Sequence, residues 1–405
     1  MLLLIFCFLF CATVGSVPTK QKPLDDFTTL ELIEYRGYVG EEHNVVTEDR
    51  YILTLHRIPY GKSGPSANRP VVFMQHGLED SSASFVINYP GNSAGYLFAD
   101  AGFDVWLANS RGNNYSRDHT RFDPQSAQFW NFTFDEMARY DLSASIDFVL
   151  QKTQQSSLYY VGHSQVLCKG TLIMFAKLAE DPDFGKKSEN DLKMCIETRV
   201  SVRAYFALGP CARVNHITGG MRIIADLGLI DWYLWFFGDG QFIPYGTIIE
   251  KTLEGQICRL FGGKFCDVLI MTLFGTDSNQ LNSDLVPVYF GHFPAGTSNR
   301  NVQHWTQMVK SGRFCKYDWR NGREPEAYDL SKIRHVPIYL YASSTDWLAD
   351  TSDVNYLRNH LPQELVIQNN QLSDYNHMDF LWGDRAANEV FIPIIQTIKT
   401  LMINE

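Results

Sequence analysis

Three residue types that together can cleave an ester occur in this chain in a telling order. Ser164 lies in "LYYVGHSQ", Asp346 in "PIYLYASSTDW" and His377 in "DYNHMDF". A serine hydroxyl is a poor nucleophile at neutral pH. It needs a base within hydrogen-bond reach, and the base needs a carboxylate to hold its tautomer and stabilise its charged form. Each of the three follows a short β-rich run, so each is expected on a loop at a strand end. Taken singly, a Gly-x-Ser turn, a post-strand aspartate and one of eleven histidines say little. The weight comes from the order and the shared placement. Attack on an ester also builds an oxyanion, which needs fixed N–H donors. The backbone N–H of Gln165, just past the serine, supplies one candidate. That of Leu78, in the loop after "VVFMQHGL", supplies the other, with Gly77 allowing close backbone approach.

The elements that must position these groups are legible as an alternation. "HNVVTEDRYILTLHRIPYG" reads as two strands around a Thr-Glu-Asp turn. "NRPVVFMQHGL" and "AGFDVWLANSRG" read as buried strands feeding loops, with residues 81–100 partly helical between them. "FTFDEMARYDLSASIDFVLQKT" reads as a helix. Thr133 and Glu136 form a capping box there, and Met137, Tyr140, Ala144 and Phe148 share a face. "SSLYYVG" and "RVSVRAYFALGP" are further strands, and a helix follows Ser164. This pattern predicts an α/β fold, a mainly parallel sheet with helices on both faces. From residue 211 to 332 the alternation fails. The stretch is irregular and rich in aromatics, including "LGLIDWYLWFFGDGQFIPYG", and is expected as an insertion over the carboxyl edge of the sheet. The alternation resumes at "HVPIYLYASSTDWLAD" and "ELVIQNNQL" and ends in a helix over about residues 386–402. The expected layout is a signal peptide over 1–16, core over 17–210, insertion over 211–332 and core again over 333–405.

Bulk properties narrow the field. The 405 residues are 45% hydrophobic and 14% aromatic, enough for a large core and for apolar substrates. A net charge of −10, with no Lys/Arg run, argues against nucleic acid and against docking on anionic membranes. "MLLLIFCFLFCATVGS" reads as a cleaved signal peptide, and no later run is long and apolar enough to span a bilayer. A secreted or lysosomal location follows as an expectation. Of eight cysteines, Cys7 and Cys11 leave with the signal. Cys258 and Cys266 flank a Gly-Gly turn in "ICRLFGGKFCDV" and are expected to form a local bridge. No C-x-x-C pair and no H-E-x-x-H helix occurs, so neither a metal site nor a cofactor is expected. Asn114 and Asn131 head N-x-S/T sequons and are candidate glycosylation sites. The oligomeric state is not legible.

Seven ordered blocks carry a resemblance: "VTEDRYILTLHRIPYG", "QHGLEDSSASFVIN", "AGFDVWLANSRGNNYSR", "FTFDEMARYDLSASIDFVL", "GHSQ", "TDWLADTSDV" and "YNHMDFLWG". Together they resemble the acid lipases, a family spanning gastric, lysosomal and invertebrate members, from about Leu32 to the C-terminus. The resemblance implies an α/β-hydrolase core with an inserted cap and lid. It also implies hydrolysis of triacylglycerols or sterol esters, neutral lipids met at a lipid–water interface. It makes Ser164 the nucleophile, Asp346 the acid, His377 the base, Leu78 and Gln165 the oxyanion donors, and Cys258–Cys266 a cap disulfide. The aromatic stretch from Ile217 to Phe242 becomes lid and substrate tunnel.

One block departs from the pattern. The family reads GHSQG, whereas this chain reads GHSQ, then VLCK, then GT, so Val166–Lys169 is a four-residue insertion at the serine turn. The glycine after such a turn lies where a side chain would collide with neighbouring strands. A valine there typically costs ~1–3 kcal/mol. Two geometries are open: the helix begins a turn earlier with Val166 at the crowded point, or the insertion bulges and Gly170 keeps that place. The second puts the Gln165 donor at risk. A secreted, catalytically weak lipid-binding protein is the alternative function.

Overall fold

The computed structural model describes residues 22–164, 170–186, 201–210, 212–242, 271–276, 278–318 and 323–404. The strands are β1 (Glu41–Val46), β2 (Tyr51–Ile58), β3 (Val71–Gln75), β4 (Asp104–Ala108), β5 (Asp118–His119), β6 (Ser157–His163), β7 (Ser201–Leu208), β8 (Gln241–Phe242), β9 (Thr297–Ser298), β10 (Ile338–Ser343) and β11 (Val366–Leu372). Nine of them make one sheet in the order β1-β2-β4-β3-β6-β7-β10-β11, with the short β5 beside β2. Strands β4, β3, β6, β7, β10 and β11 run parallel, while β1 and β2 add an antiparallel edge. The sheet is mainly parallel, as the alternation of elements predicted. Every residue of β3, β4 and β10 is buried, as strands covered on both faces must be.

The order of strands decides where a site forms. From β3 the chain moves to β4 on one side, then returns to β6 on the other. The loops leaving β3 and β6 therefore diverge and leave a crevice at their carboxyl ends, the usual ligand position in open α/β sheets. Gln75 at the end of β3 pairs with Gly162 of β6, so the loop holding Leu78 and the turn holding Ser164 leave the sheet side by side.

The capping box at Thr133 and Glu136 forms as expected. The helix beyond it differs from its predicted face. A π-turn over Met137–Asp141 precedes the helix Leu142–Thr153. The extra residue in that turn rotates the following helix by about 100°. Leu142, Ile146 and Val149 face the core, and Tyr140, Ala144 and Phe148 are only half-buried. A second π-turn, Ala387–Phe391, leads into the C-terminal helix Ile392–Ile403.

The described part of 211–332 adds no strand to the large sheet. Its β8 and β9 pair with each other, among the helices Gly219–Asp226, Leu229–Phe237, Val286–His292 and Asn299–Ser311. Residues 1–16, Gln165, the insertion Val166–Lys169, Cys258 and Cys266 lie outside the described residues.

Candidate active site

Ser164 sits at the tip of β6 with φ at +71°, in the left-handed region that a serine rarely adopts. Such strain at a strand-to-helix turn lifts the side chain clear of the sheet. The turn is held from several directions. The Ser164 N–H donates to the Leu208 carbonyl at 2.8 Å. The Ser164 carbonyl accepts from the Thr171 N–H at 3.3 Å and from the Thr171 hydroxyl at 2.9 Å. The Tyr160 hydroxyl caps the Gly170 carbonyl at 2.7 Å.

These bonds answer the question posed by the insertion. The helix Gly170–Glu180 begins with Gly170 pressed against the sheet. A Cβ on Gly170 would collide with the carbonyl oxygens of Gln75 and His163 and would lie 2.6 Å from the His163 nitrogen. Gly170 therefore occupies the crowded point, six positions after the serine. Gly162, on the facing strand, is equally tight: a Cβ there would lie 2.8 Å from the Gly170 carbonyl carbon.

The Ser164 hydroxyl is in short hydrogen-bond contact with Nε2 of His377. On the far side of the ring, Nδ1 of His377 meets Oδ2 of Asp346 at 2.8 Å. The other oxygen of Asp346 accepts the Leu348 and Ala349 N–H groups, both at 2.8 Å, so the carboxylate cannot swing away. Asp346 follows β10 and His377 follows β11, strands that pair in parallel. Both side chains are buried, and Ser164 is 7% exposed at the end of the chain of bonds. An imidazole held this way can take the serine proton at Nε2 while the carboxylate stabilises its charged form. The structure thus brings together three residues separated by 213 and 31 positions in sequence.

Leu78 and Gly77 line the same cavity as the serine. A Cβ on Gly77 would lie 3.1 Å from the serine Cβ, a tight contact that the glycine avoids. The space in front of the serine amounts to about 280 Å³, open solvent included. Leu78, Phe274, Phe293, Leu348 and Met378 give it an apolar wall, and Asp80 and His163 add polar groups. A larger cleft of about 1120 Å³ is lined by charged side chains such as Arg139, Lys177, Glu180 and Lys316. It shares no residue with the serine cavity and does not suit an acyl chain.

Sequence reasoning missed four residues around the site. His163 is wholly buried beside the serine, and its Nε2–H donates to the His377 carbonyl at 3.0 Å. Burial, and next the neighbouring His377, push its pKa well below the usual imidazole value, so it stays neutral. Phe274 and Gly275 come from the 211–332 segment. The Phe274 carbonyl accepts the His377 N–H at 3.1 Å, and Gly275 forms an antiparallel bridge with Asp346. Their signal in the sequence was only a Phe-Gly pair in an irregular stretch. Asp80 was overlooked inside the "HGLED" block. Of the sequons, Asn131 is exposed and its Oδ1 is held by Arg300, whereas Asn114 is half-buried and its Ser116 is fully buried. No group of ligands suited to a metal ion occurs among the described residues.

Two family profiles match this chain: a partial α/β-hydrolase lipase region over residues 29–89, and the α/β-hydrolase fold over residues 70–184. Lipase lipl-1 of Caenorhabditis elegans is 44% identical over 93% of this chain and 92% of its own length. Human gastric triacylglycerol lipase is 40% identical over 91% of this chain and 90% of its own. Mouse lipase member K is 38% identical over 92% and 91%. A solved structure of a putative lipase from Acinetobacter baumannii superposes with a TM-score of 0.52 at 12% identity, covering 92% of this chain and 95% of that one, which speaks to fold. With near-complete coverage at these identities, the chain belongs to the α/β-hydrolase lipases, the family of gastric triacylglycerol lipase, and is a serine ester hydrolase.

Proposed function

We propose that the protein hydrolyses carboxylic esters of neutral lipids, triacylglycerols or sterol esters, through an acyl-enzyme on Ser164. The observation that carries this reading is the unbroken bond chain from the Ser164 hydroxyl through His377 to Asp346, facing an apolar cavity. In the first half-reaction the serine Oγ attacks the ester carbonyl carbon and its proton passes to Nε2 of His377. The oxyanion is met by the amides of Leu78 and Gln165. The tetrahedral adduct collapses, the C–O bond to the alcohol breaks, and His377 returns the proton to the leaving oxygen. Water, deprotonated by His377, then releases the fatty acid and restores the serine.

Two further observations support a lipid substrate. One of the relatives is named a triacylglycerol lipase. The helices Gly219–Asp226 and Leu229–Phe237, with Leu227 between them, also expose a run of large apolar side chains: Ile223, Leu227, Leu229, Trp232, Trp235, Phe236 and Phe237. Trp235 is 82% exposed and Trp232 63%. Such a patch is costly in water and suits the surface of a lipid droplet. Within this reading 211–332 is cap and lid, and the leader over 1–16 directs the protein to the secretory route, to the lysosome or outside. Gly170 holds the crowded place, so the catalytically weak alternative turns on the Gln165 amide alone, and the named lipase relatives favour the active reading.

A fluorophosphonate probe tests the reading. Labelling of the folded protein that disappears in Ser164→Ala supports it, together with release of fatty acid from emulsified triolein or cholesteryl oleate. A folded protein that the probe does not label overturns it.

A further inference from the structure

Asp80 is a carboxylic residue in a wall that should favour hydrocarbon. It is buried, and it lines the same cavity as Ser164 and His377. One of its oxygens, Oδ1, is well satisfied: the Ser84 hydroxyl donates to it at 2.5 Å and the Ser81 N–H at 2.7 Å. The other, Oδ2, is buried with no hydrogen-bond partner. A buried carboxylate oxygen without a partner is among the costliest arrangements in a protein interior, and a proton relieves it. The protonated oxygen then becomes a donor that itself lacks an acceptor.

Among the described residues around it, none offers a counter-charge. Across the cavity stand His163, kept neutral by burial, and His377, engaged with Ser164 and Asp346. In its own loop, His76 is held between the Gly77 carbonyl and the Ser110 N–H, and Glu79 accepts the Gly296 N–H at 3.0 Å. The turn after β4 reaches the loop through Asn113, whose amide meets the Asp80 carbonyl, and Arg111 of that turn is committed to Asp49 and Asp141. The short helix Ser82–Phe85 contributes no charge, and beyond Met378 lies Asp379, a second acid. Burial outweighs the help from Ser84, Ser81 and Gly77 and pushes the Asp80 pKa up to about 7.

We propose that Asp80 works as a neutral carboxylic acid whose Oδ2–H donates a hydrogen bond to an oxygen of the ester bound in front of Ser164. This rests on the esterase reading above. It makes Asp80 a specificity residue of the cavity, favouring ligands that present an oxygen there. The same group, once ionised, sets a negative charge beside the carbonyl oxygen that turns negative on attack, and opposes the reaction. Hydrolysis is thereby tied to the acid side of neutrality.

The test compares wild type with Asp80→Asn, which keeps a donor and removes the titration, and Asp80→Ala, which removes both. With a soluble p-nitrophenyl ester, kcat/KM of the wild type should fall through about pH 7 as the carboxyl ionises. In Asp80→Asn that alkaline limb should vanish while acid-side activity stays within a few-fold. In Asp80→Ala, kcat/KM at about pH 5 should drop by about tenfold, the size of one lost hydrogen bond. Fluorophosphonate labelling of both variants at Ser164 shows that the fold and nucleophile survive. An alkaline limb that persists in Asp80→Asn, or an Asp80→Ala enzyme with the wild-type profile, overturns the proposal. Binding of a non-hydrolysable long-chain methyl ketone, followed by tryptophan fluorescence, separates the two readings. Should the probe label nothing, the esterase reading fails. Ketone binding about tenfold tighter at pH 5 than at pH 8 in wild type but not in Asp80→Asn would still support Asp80 as a neutral donor, and equal binding would sink it.

Discussion

Under the proposed mechanism, replacing Ser164 by alanine is expected to lower kcat by about 10⁶-fold, because it removes the hydroxyl on which the acyl-enzyme forms. Asp346→Asn should cost about 10⁴-fold, since an amide in that place favours the wrong tautomer of His377. Both are measured with a soluble ester, where interfacial effects are absent. His163 makes a subtler case. Its hydrogen bond goes to the backbone of His377 and not to its ring, so it is a positioning residue. His163→Leu should lower kcat more than it raises KM, while His163→Gln, which can donate to the same carbonyl, should restore most of the loss. A separate kcat and KM determination for the two variants checks this. At this scale the sequence pointed to Ser164, Asp346 and His377 as candidates because each follows a strand-like run, and the structure brings their side chains into contact. The sequence hid Asp80 and His163 because their importance lies in an unmatched oxygen and a buried ring, and neither is visible until neighbours are known.

At the level of elements, the serine turn carries the most information. The Thr171 N–H donates to the Ser164 carbonyl across the inserted residues. That bond is the one a short turn would make if Thr171 stood three places after the serine. Deleting Val166–Lys169 would put it there, with Gly170 unmoved against β3 and β6. The deletion variant is therefore expected to fold, and to hydrolyse soluble esters at least as fast as the natural chain, because Gln165 then directly precedes its glycine. A slower or unfolded variant would show that the inserted residues contribute to the site. Conversely, Gly170→Ala should destabilise the protein by ~1–3 kcal/mol and lower activity with it, since the added methyl meets two carbonyl oxygens. Spacing in the sequence left two geometries of the turn open, because positions were counted along the chain. Packing counts in space, and there Gly170 fills the crowded place. The helix after Thr133 teaches the complementary lesson: a regular 3.6-residue period misplaced its face because one extra residue in a π-turn leaves no mark in composition.

For the molecule as a whole, buried ionisable groups give stability a pH dependence that can be signed. Burial is the largest cause pushing Asp379 up to about 7, against about 3.9 for an aspartate in the unfolded chain. Between those values the folded protein binds the extra proton. This contribution is complete below about pH 4 and is lost as pH rises through about 7. His292 runs the other way. Burial pushes it down to about 4, so its contribution is present above the unfolded value of about 6.5 and is lost as pH falls through about 4. Asp379→Asn should accordingly shrink the fall in Tm from about pH 5 to pH 8, and His292→Asn should shrink the fall below about pH 6. Calorimetry over that range reads both. The exposed aromatic helices make a separate prediction. Trp235→Asp should leave hydrolysis of a soluble ester within about twofold and reduce hydrolysis of an emulsion by tenfold or more, because one charge disrupts a patch that must enter lipid. Equal losses on both substrates would argue against interfacial docking. The mainly parallel sheet was legible from the alternation of apolar strands and amphipathic helices. The layout of 211–332 was not, since its short, aromatic-rich pieces carry no clear period.

The junction at Phe274 and Gly275 has a practical consequence. These two residues grip the histidine and aspartate loops from a segment that looks, on first inspection, like a detachable accessory. A minimal hydrolase cut down to its sheet and helices would keep the serine turn yet release the partners that align it. Engineering a broader entrance by trimming that accessory therefore trades reach for alignment, unless a replacement tether is built for residues 346 and 377.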